Sequence, residues 1–164
     1  MADIKPSTPS LFLREEELRK GTELLYFAYR DFIAEPDDAL RKYGFGRAHH
    51  RVLHFVARRP GLSVADLLDL LSITKQSLSR VLGTLVGQGY VRQEKGTRDR
   101  RQRLLYLTEK GSALEAELAA IQRRRMARAY REAGADAVAG FWRVLAGLID
   151  ESRREEIERF VNEA

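Results

Sequence analysis

Apolar residues recur at helical spacing along most of the chain, and a short β-prone stretch near the middle breaks that periodicity. From Arg14 to about Ala34, Leu18, Leu24, Leu25, Ala28, Phe32 and Ile33 fall near helical spacing among charged residues, which predicts a long first helix stopped by Pro36. A second helix fits Gly46 to Arg58, with Val52, Leu53, Phe55 and Val56 inward, and ends at the breaker Pro60-Gly61. Ser63 stands three residues before Asp66, the spacing of a capping box, so a short third helix is expected from Val64 to about Leu70. Beyond the tight Leu71-Ser72-Ile73 connection, Leu78, Val81, Leu82 and Leu85 occupy i, i+3, i+4 and i+7 of a fourth helix, Thr74 to about Gly87. Its opposite side carries Lys75, Gln76, Ser79, Arg80 and Gly83.

Two β-prone segments follow, Tyr90-Val91-Arg92-Gln93 and Leu104-Leu105-Tyr106-Leu107, joined by a charged stretch from Lys95 to Arg101; they read as a hairpin. Thr108 is an N-cap for a long fifth helix, Glu109 to about Glu132, with a stripe of Leu114, Leu118, Ile121 and Met126. Gly134 ends it, and Asp136 is expected to cap a sixth helix carrying Val138, Phe141, Trp142, Leu145, Leu148, Ile149, Ile157 and Phe160. Residues 1–10, with two prolines, two serines and a threonine, read as a flexible tail. The expected fold is mainly α, about six helices with a small β-wing, and residues 11–164 form a single domain. Its winged helix-turn-helix core covers about 46–108, with helices over about 14–34 and 109–161 outside it.

Composition changes the picture mainly by exclusion. The chain has no cysteine, so a disulfide framework, Cys-ligated zinc, an iron–sulfur cluster and thiol catalysis are ruled out. The start has no apolar signal region, and the longest uncharged run, Val81 to Val91, is about half the ~20 residues of a membrane span, so a cytoplasmic protein without membrane contact is expected. The net charge of +5 is unevenly placed: residues 72–103 hold eight Lys/Arg against two Asp/Glu, while both ends are slightly acidic. A basic helix face alone is usually a solvated surface, and so is an arginine-rich hairpin tip. Their adjacency in one basic stretch points instead to a polyanion, with the fourth helix suited to a major groove ~12 Å wide and the hairpin to an adjoining minor groove.

The run Ile73-Thr74-Lys75-Gln76-Ser77-Leu78-Ser79-Arg80-Val81-Leu82, followed by Gly89-Tyr90-Val91, resembles the recognition helix and strand entry of the MarR family. Asp99-Arg100-Arg101, leading to Leu107-Thr108-Glu109-Lys110-Gly111, resembles that family's wing signature, and the resemblance spans about Arg14 to Leu148. Arg47-Ala48-His49-His50-Arg51 is similar to a PetP-like subgroup. The resemblance implies a homodimer built through the N- and C-terminal helices, acting on double-stranded DNA at a pseudo-palindromic operator, as a repressor relieved by a small-molecule effector. It implies that Thr74, Lys75, Gln76, Ser77, Ser79 and Arg80 face the major groove. At the wing, Arg98, Asp99, Arg100 and Arg101 meet DNA, with Arg101 in the minor groove and Asp99 orienting it by an ion pair. The candidate effector pocket lies near His49 and His50. Sensing by thiol oxidation, used by some relatives, is impossible here.

His50 and His54 share a helix face, but a metal site needs more ligands than that pair, so no metal and no cofactor are expected. No phosphate-cradling glycine loop, nucleophile elbow or HExxH is present, so an enzyme is not expected. The alternative from another class is a winged-helix protein-interaction module without DNA recognition.

Overall fold

The computed structural model describes residues 11–163, so the expected tail over residues 1–10 lies outside the described residues. These residues group into two compact units, one running to Gln122 and the other starting at Arg123. The first contains α1 (Glu15–Arg41), α2 (Arg47–Arg58), β1 (Leu62–Ser63), α3 (Val64–Leu71), α4 (Lys75–Gly87), β2 (Val91–Lys95) and β3 (Arg103–Leu107). Helix α5 (Glu109–Ala133) begins in the first unit and ends in the second, which adds α6 (Ala135–Leu148) and α7 (Glu151–Asn162).

The three strands form one antiparallel sheet in the order β1-β3-β2, with Val91 opposite Leu107, Lys95 opposite Arg103, and Leu62 opposite Leu105. The core of the first unit is the sum of the apolar faces read from the sequence. Val52, Leu53 and Val56 of α2, Leu67 of α3, Leu78, Val81, Leu82 and Leu85 of α4, Leu105 of β3, and Leu114 and Leu118 of α5 are all buried there. Apolar burial at one face per helix is what holds each helix, since isolated helices of this length are marginal in water. In the second unit, the Trp142 indole donates to the Tyr130 hydroxyl at 2.8 Å, and Arg154 donates to the carbonyls of Gly147 and Ile149 at the end of α6.

Four expectations change. Helix α1 does not stop at Pro36 but runs to Arg41 with Pro36 inside it. Ile33, Pro36 and Leu40 form its buried face, so the packing of that face offsets the amide hydrogen that proline lacks. The sixth helix divides into α6 and α7 because Ile149 is extended and Asp150 caps α7, its carboxylate accepting from the Ser152 amide at 2.9 Å. Asp136 lies in the first turn of α6 rather than capping it; Gly134, with φ of 84°, holds the cap position. The two-residue strand β1 was not expected from the sequence.

Candidate nucleic-acid interface

The turn between α3 and α4 is tight because Ser72 adopts a left-handed conformation, its amide reaching the carbonyls of Leu68 and Asp69. Thr74 then caps α4: its hydroxyl accepts from the Ser77 amide at 3.2 Å and donates to the Ser77 hydroxyl at 2.9 Å. Two of the residues expected at the interface, Thr74 and Ser77, therefore have their hydroxyls engaged in starting the helix. The buried leucines turn Lys75, Gln76, Ser79 and Arg80 outward, and none of these four side chains makes a hydrogen bond or ion pair among the described residues. On α1, by contrast, Lys20 pairs with Glu17, Arg30 with Asp31 and Arg41 with Asp38.

The wing is built from its own backbone. The Gly96 amide donates to the Gln102 carbonyl at 3.1 Å, and the Gln102 amide to the Asp99 carbonyl at 3.0 Å. A Cβ on residue 96 would lie 2.5 Å from that same Asp99 carbonyl oxygen, so the turn requires glycine. Asp99 accepts the Arg101 backbone N–H at 2.9 Å, in place of the expected ion pair with the Arg101 guanidinium. An Asp side chain bonding two residues ahead is a common turn device, and here it fixes the wing tip. Arg103 donates to the Arg100 carbonyl at 3.1 Å, whereas the guanidiniums of Arg98, Arg100 and Arg101 are exposed and without a partner among the described residues. At the wing root, Arg92 pairs with Glu94 and stacks over Tyr106, 4.4 Å from the ring centroid.

Between α4 and the wing lies an open cleft of about 660 Å³. Its floor includes Leu68, Leu78 and Leu82, and Lys75, Arg101 and Arg103 bring positive charge to its walls. Gln93, Gln102 and Arg103 were not expected at the site. They line the cleft from β2, the wing turn and the start of β3.

At the far end of α4 the chain reverses through Gly89, with φ of 77°, and the Tyr90 amide closes on the Leu85 carbonyl at 2.8 Å. The first turn of α5 clamps this reversal. The Thr108 hydroxyl donates to the Gly89 carbonyl at 2.6 Å and accepts from the Gly111 amide at 3.1 Å, and Lys110 donates to the Gln88 carbonyl at 2.9 Å.

A helix with unengaged polar groups, a short helix before it across a tight turn, and a basic antiparallel wing after it also occur together in known proteins. Residues 43–102 match the model of the MarR family. The chain is 53% identical over 148 residues to HTH-type transcriptional regulator PetP from Rhodobacter capsulatus, covering 90% of this chain and 89% of that protein. This chain belongs to the MarR family. Over 70 residues it is also 29% identical to the transcriptional regulator HosA of Escherichia coli, which is 43% of this chain and 52% of HosA. Solved MarR-family folds superpose on it. A mutant MarR from E. coli complexed with operator DNA has TM-score 0.65 at 21% identity, covering 82% of this chain and 96% of that one. FabT of Streptococcus pneumoniae in complex with DNA has TM-score 0.71 at 16% identity, covering 80% and 94%.

Within this MarR-family chain the three histidines do different work. His49 is a structural group: its Nδ1 accepts the Gly46 amide at 3.1 Å at the start of α2, and its ring stacks on Phe45 with centroids 4.8 Å apart. His50 is buried, and His54 is exposed, its Nδ1 lying 3.7 Å from a Glu115 carboxylate oxygen. Burial lowers the pKa of His49 below its ordinary 6.5, and burial followed by the nearby His54 lowers that of His50, against the opposing influence of Asp37 and Glu115. The unfolded chain therefore binds these protons more readily than the folded one. Stability is fully present above about pH 6.5, the unfolded value, and is lost as the pH falls below it. The melting temperature is expected to drop between about pH 7 and 5, and His50→Gln to flatten that drop. A flat profile for the unaltered protein would show that neither histidine is protected. Among the described residues, no three His, Asp or Glu side chains come together to hold a metal ion, and no helix is long and apolar enough to cross a membrane.

Proposed function

We propose that this MarR-family protein is a homodimeric transcriptional regulator that binds double-stranded DNA sequence-specifically, with α4 in the major groove and the wing in the adjoining minor groove. The observation that carries the reading is that the cations and amides of α4 and the wing tip are left unengaged while the backbone holding them is fixed by caps and turns. Such groups are available to phosphates and base edges. The relatives named as transcriptional regulators, and the fold shared with chains solved on DNA, support it. A genome-wide footprint of the bound protein tests it, with a two-fold symmetric site as the expected result and scattered, sequence-independent occupancy as the outcome against it. Repression is the output we assign, because a dimer seated across both grooves excludes other proteins from the same site.

Dimerisation is supported by apolar surface that the chain leaves open. Leu18, Leu24, Leu25 and Phe27 on α1, and Phe141, Trp142, Val144 and Leu148 on α6, are exposed. Phe12 and Leu13 are exposed as well, whereas Phe160 is only 8% exposed and belongs to the chain's own interior. Patches of this kind mark interaction surfaces. Sedimentation at micromolar concentration is expected to show a dimer, and Leu24→Glu or Trp142→Glu to shift it toward monomer and weaken DNA binding with it. A monomer at every concentration would overturn this part. We place the effector response around His50, where Asp37 of α1 and Glu115 of α5 approach α2, rather than at His49, whose imidazole is already committed.

A further inference from the structure

We infer that the cleft between α4 and the wing seats the sugar–phosphate strand that divides the two grooves, and that Gly83 is the bare wall against which that strand lies. The inference rests on the DNA-binding reading above and adds a contact that the reading does not contain. With a helix in the major groove and a hairpin in the neighbouring minor groove, one phosphodiester strand must pass between them. The cleft of about 660 Å³ lies between these two elements, and Lys75, Arg101 and Arg103 supply cations along it while Ser79 and Gln93 supply hydrogen-bonding groups. Asp99 also borders the cleft, but its carboxylate is engaged by the Arg101 amide.

Gly83 lines the same cleft, in the interior of α4, exposed, one turn beyond Ser79 and Arg80. A glycine inside a helix is less stable than alanine there, and packing within the chain gives no reason for it: a Cβ at residue 83 would meet nothing within 4 Å. The contrast with Gly96, where a Cβ would strike the chain's own backbone, is direct. Gly21, Gly140 and Gly147 are equally open inside their helices, so what singles Gly83 out is its position beside the cationic walls of the cleft, which points to the backbone of DNA as its neighbour.

The test pairs stability with binding, on the full-length protein and on the duplex most enriched by the unaltered protein from a random library. Gly83→Ala is expected to raise the melting temperature by about 2–4 °C through helix propensity. It should nevertheless weaken binding by about 5- to 100-fold, the penalty for forcing one more carbon into a close-packed contact. Gly83→Lys separates the alternatives by sign: on a merely solvated face an added cation tightens binding, whereas against a closely seated strand it weakens it. Unchanged binding by Gly83→Ala, or tighter binding by Gly83→Lys, overturns the inference while leaving the DNA-binding reading intact. Failure of the unaltered protein to bind any duplex overturns both.

Discussion

Gly111→Ala is expected to lower the stability of the folded chain by about 2 kcal/mol or more, although alanine is the better helix former. Residue 111 lies in the first turn of α5, packed so closely on the Tyr90 carbonyl that a Cβ would fall inside contact distance of its oxygen and 3.0 Å from its carbon. The Tyr90 carbonyl has no room to retreat, because it accepts the Thr108 amide at 3.1 Å and Thr108 also holds Gly89. Helix propensity favours alanine by roughly 1 kcal/mol, while overpacking at a fixed contact costs up to about 3 kcal/mol and more where backbone must move, so the clash decides the sign. Urea unfolding would show it, with Ser112→Ala, at an exposed neighbour, within about 0.5 kcal/mol of the unaltered protein. An unchanged midpoint for Gly111→Ala would mean that the α5 start is not packed as described. The glycine of the Leu-Thr-x-x-Gly signature thus has a mechanical reason: the helix must start flush against the strand entry.

Arg101→Ala is expected to weaken operator binding by about 100-fold or more and to reduce the slope of log affinity against log salt by about 2. Each subunit of a dimer loses one charge-assisted contact, worth roughly 1.5–3 kcal/mol, and one released counterion. The loss should be similar across operator variants, because a narrow minor groove is read by its potential and width. Gln76→Ala and Arg80→Ala differ in kind: they relax base preference at particular positions, by about 1–3 kcal/mol of discrimination each. Asp99 adds a control that depends on the observed geometry. Its carboxylate accepts a backbone N–H, so Asp99→Asn, which keeps an acceptor, should bind nearly as the unaltered protein does, while Asp99→Ala should resemble a mild Arg101→Ala. Titration of the operator at several salt concentrations checks all five variants. Affinity and slope unchanged in Arg101→Ala, with the dimer intact, would make the wing a solvated hairpin.

What could be read from the sequence was what local pattern determines. Helix α4 was legible because Leu78, Val81, Leu82 and Leu85 have a single helical period. The hairpin was legible because Gly96 and the charged tip separate two β-prone runs. The continuation of α1 through Pro36 was not, since it depends on the burial of Ile33, Pro36 and Leu40 in the folded chain. Strand β1 has two residues and no period of its own; it exists because Leu62 and Ser63 lie beside β3. The division at Asp150 was hidden because the apolar spacing runs across it, although Asp150 two residues before Ser152 is a capping signal that was available. At the site, residue identities indicated which side chains face outward but not which hydroxyls and carboxylates the backbone would claim. That is why Thr74, Ser77, Asp99 and His49 turned out to hold the local backbone in place.

The clamp between the end of α4 and the start of α5 also acts as a gear. Three side-chain bonds, from Thr108 to the Gly89 and Tyr90 carbonyls and from Lys110 to the Gln88 carbonyl, and one close backbone contact join the residues that follow α4 to the first turn of a helix of 25 residues, about 37 Å long. Helix α4 is consequently tied at this end to the first turn of α5. A change of tilt at the first turn of α5 is carried into the reversal at Gly89 and so to the end of α4, and the two helix ends move together.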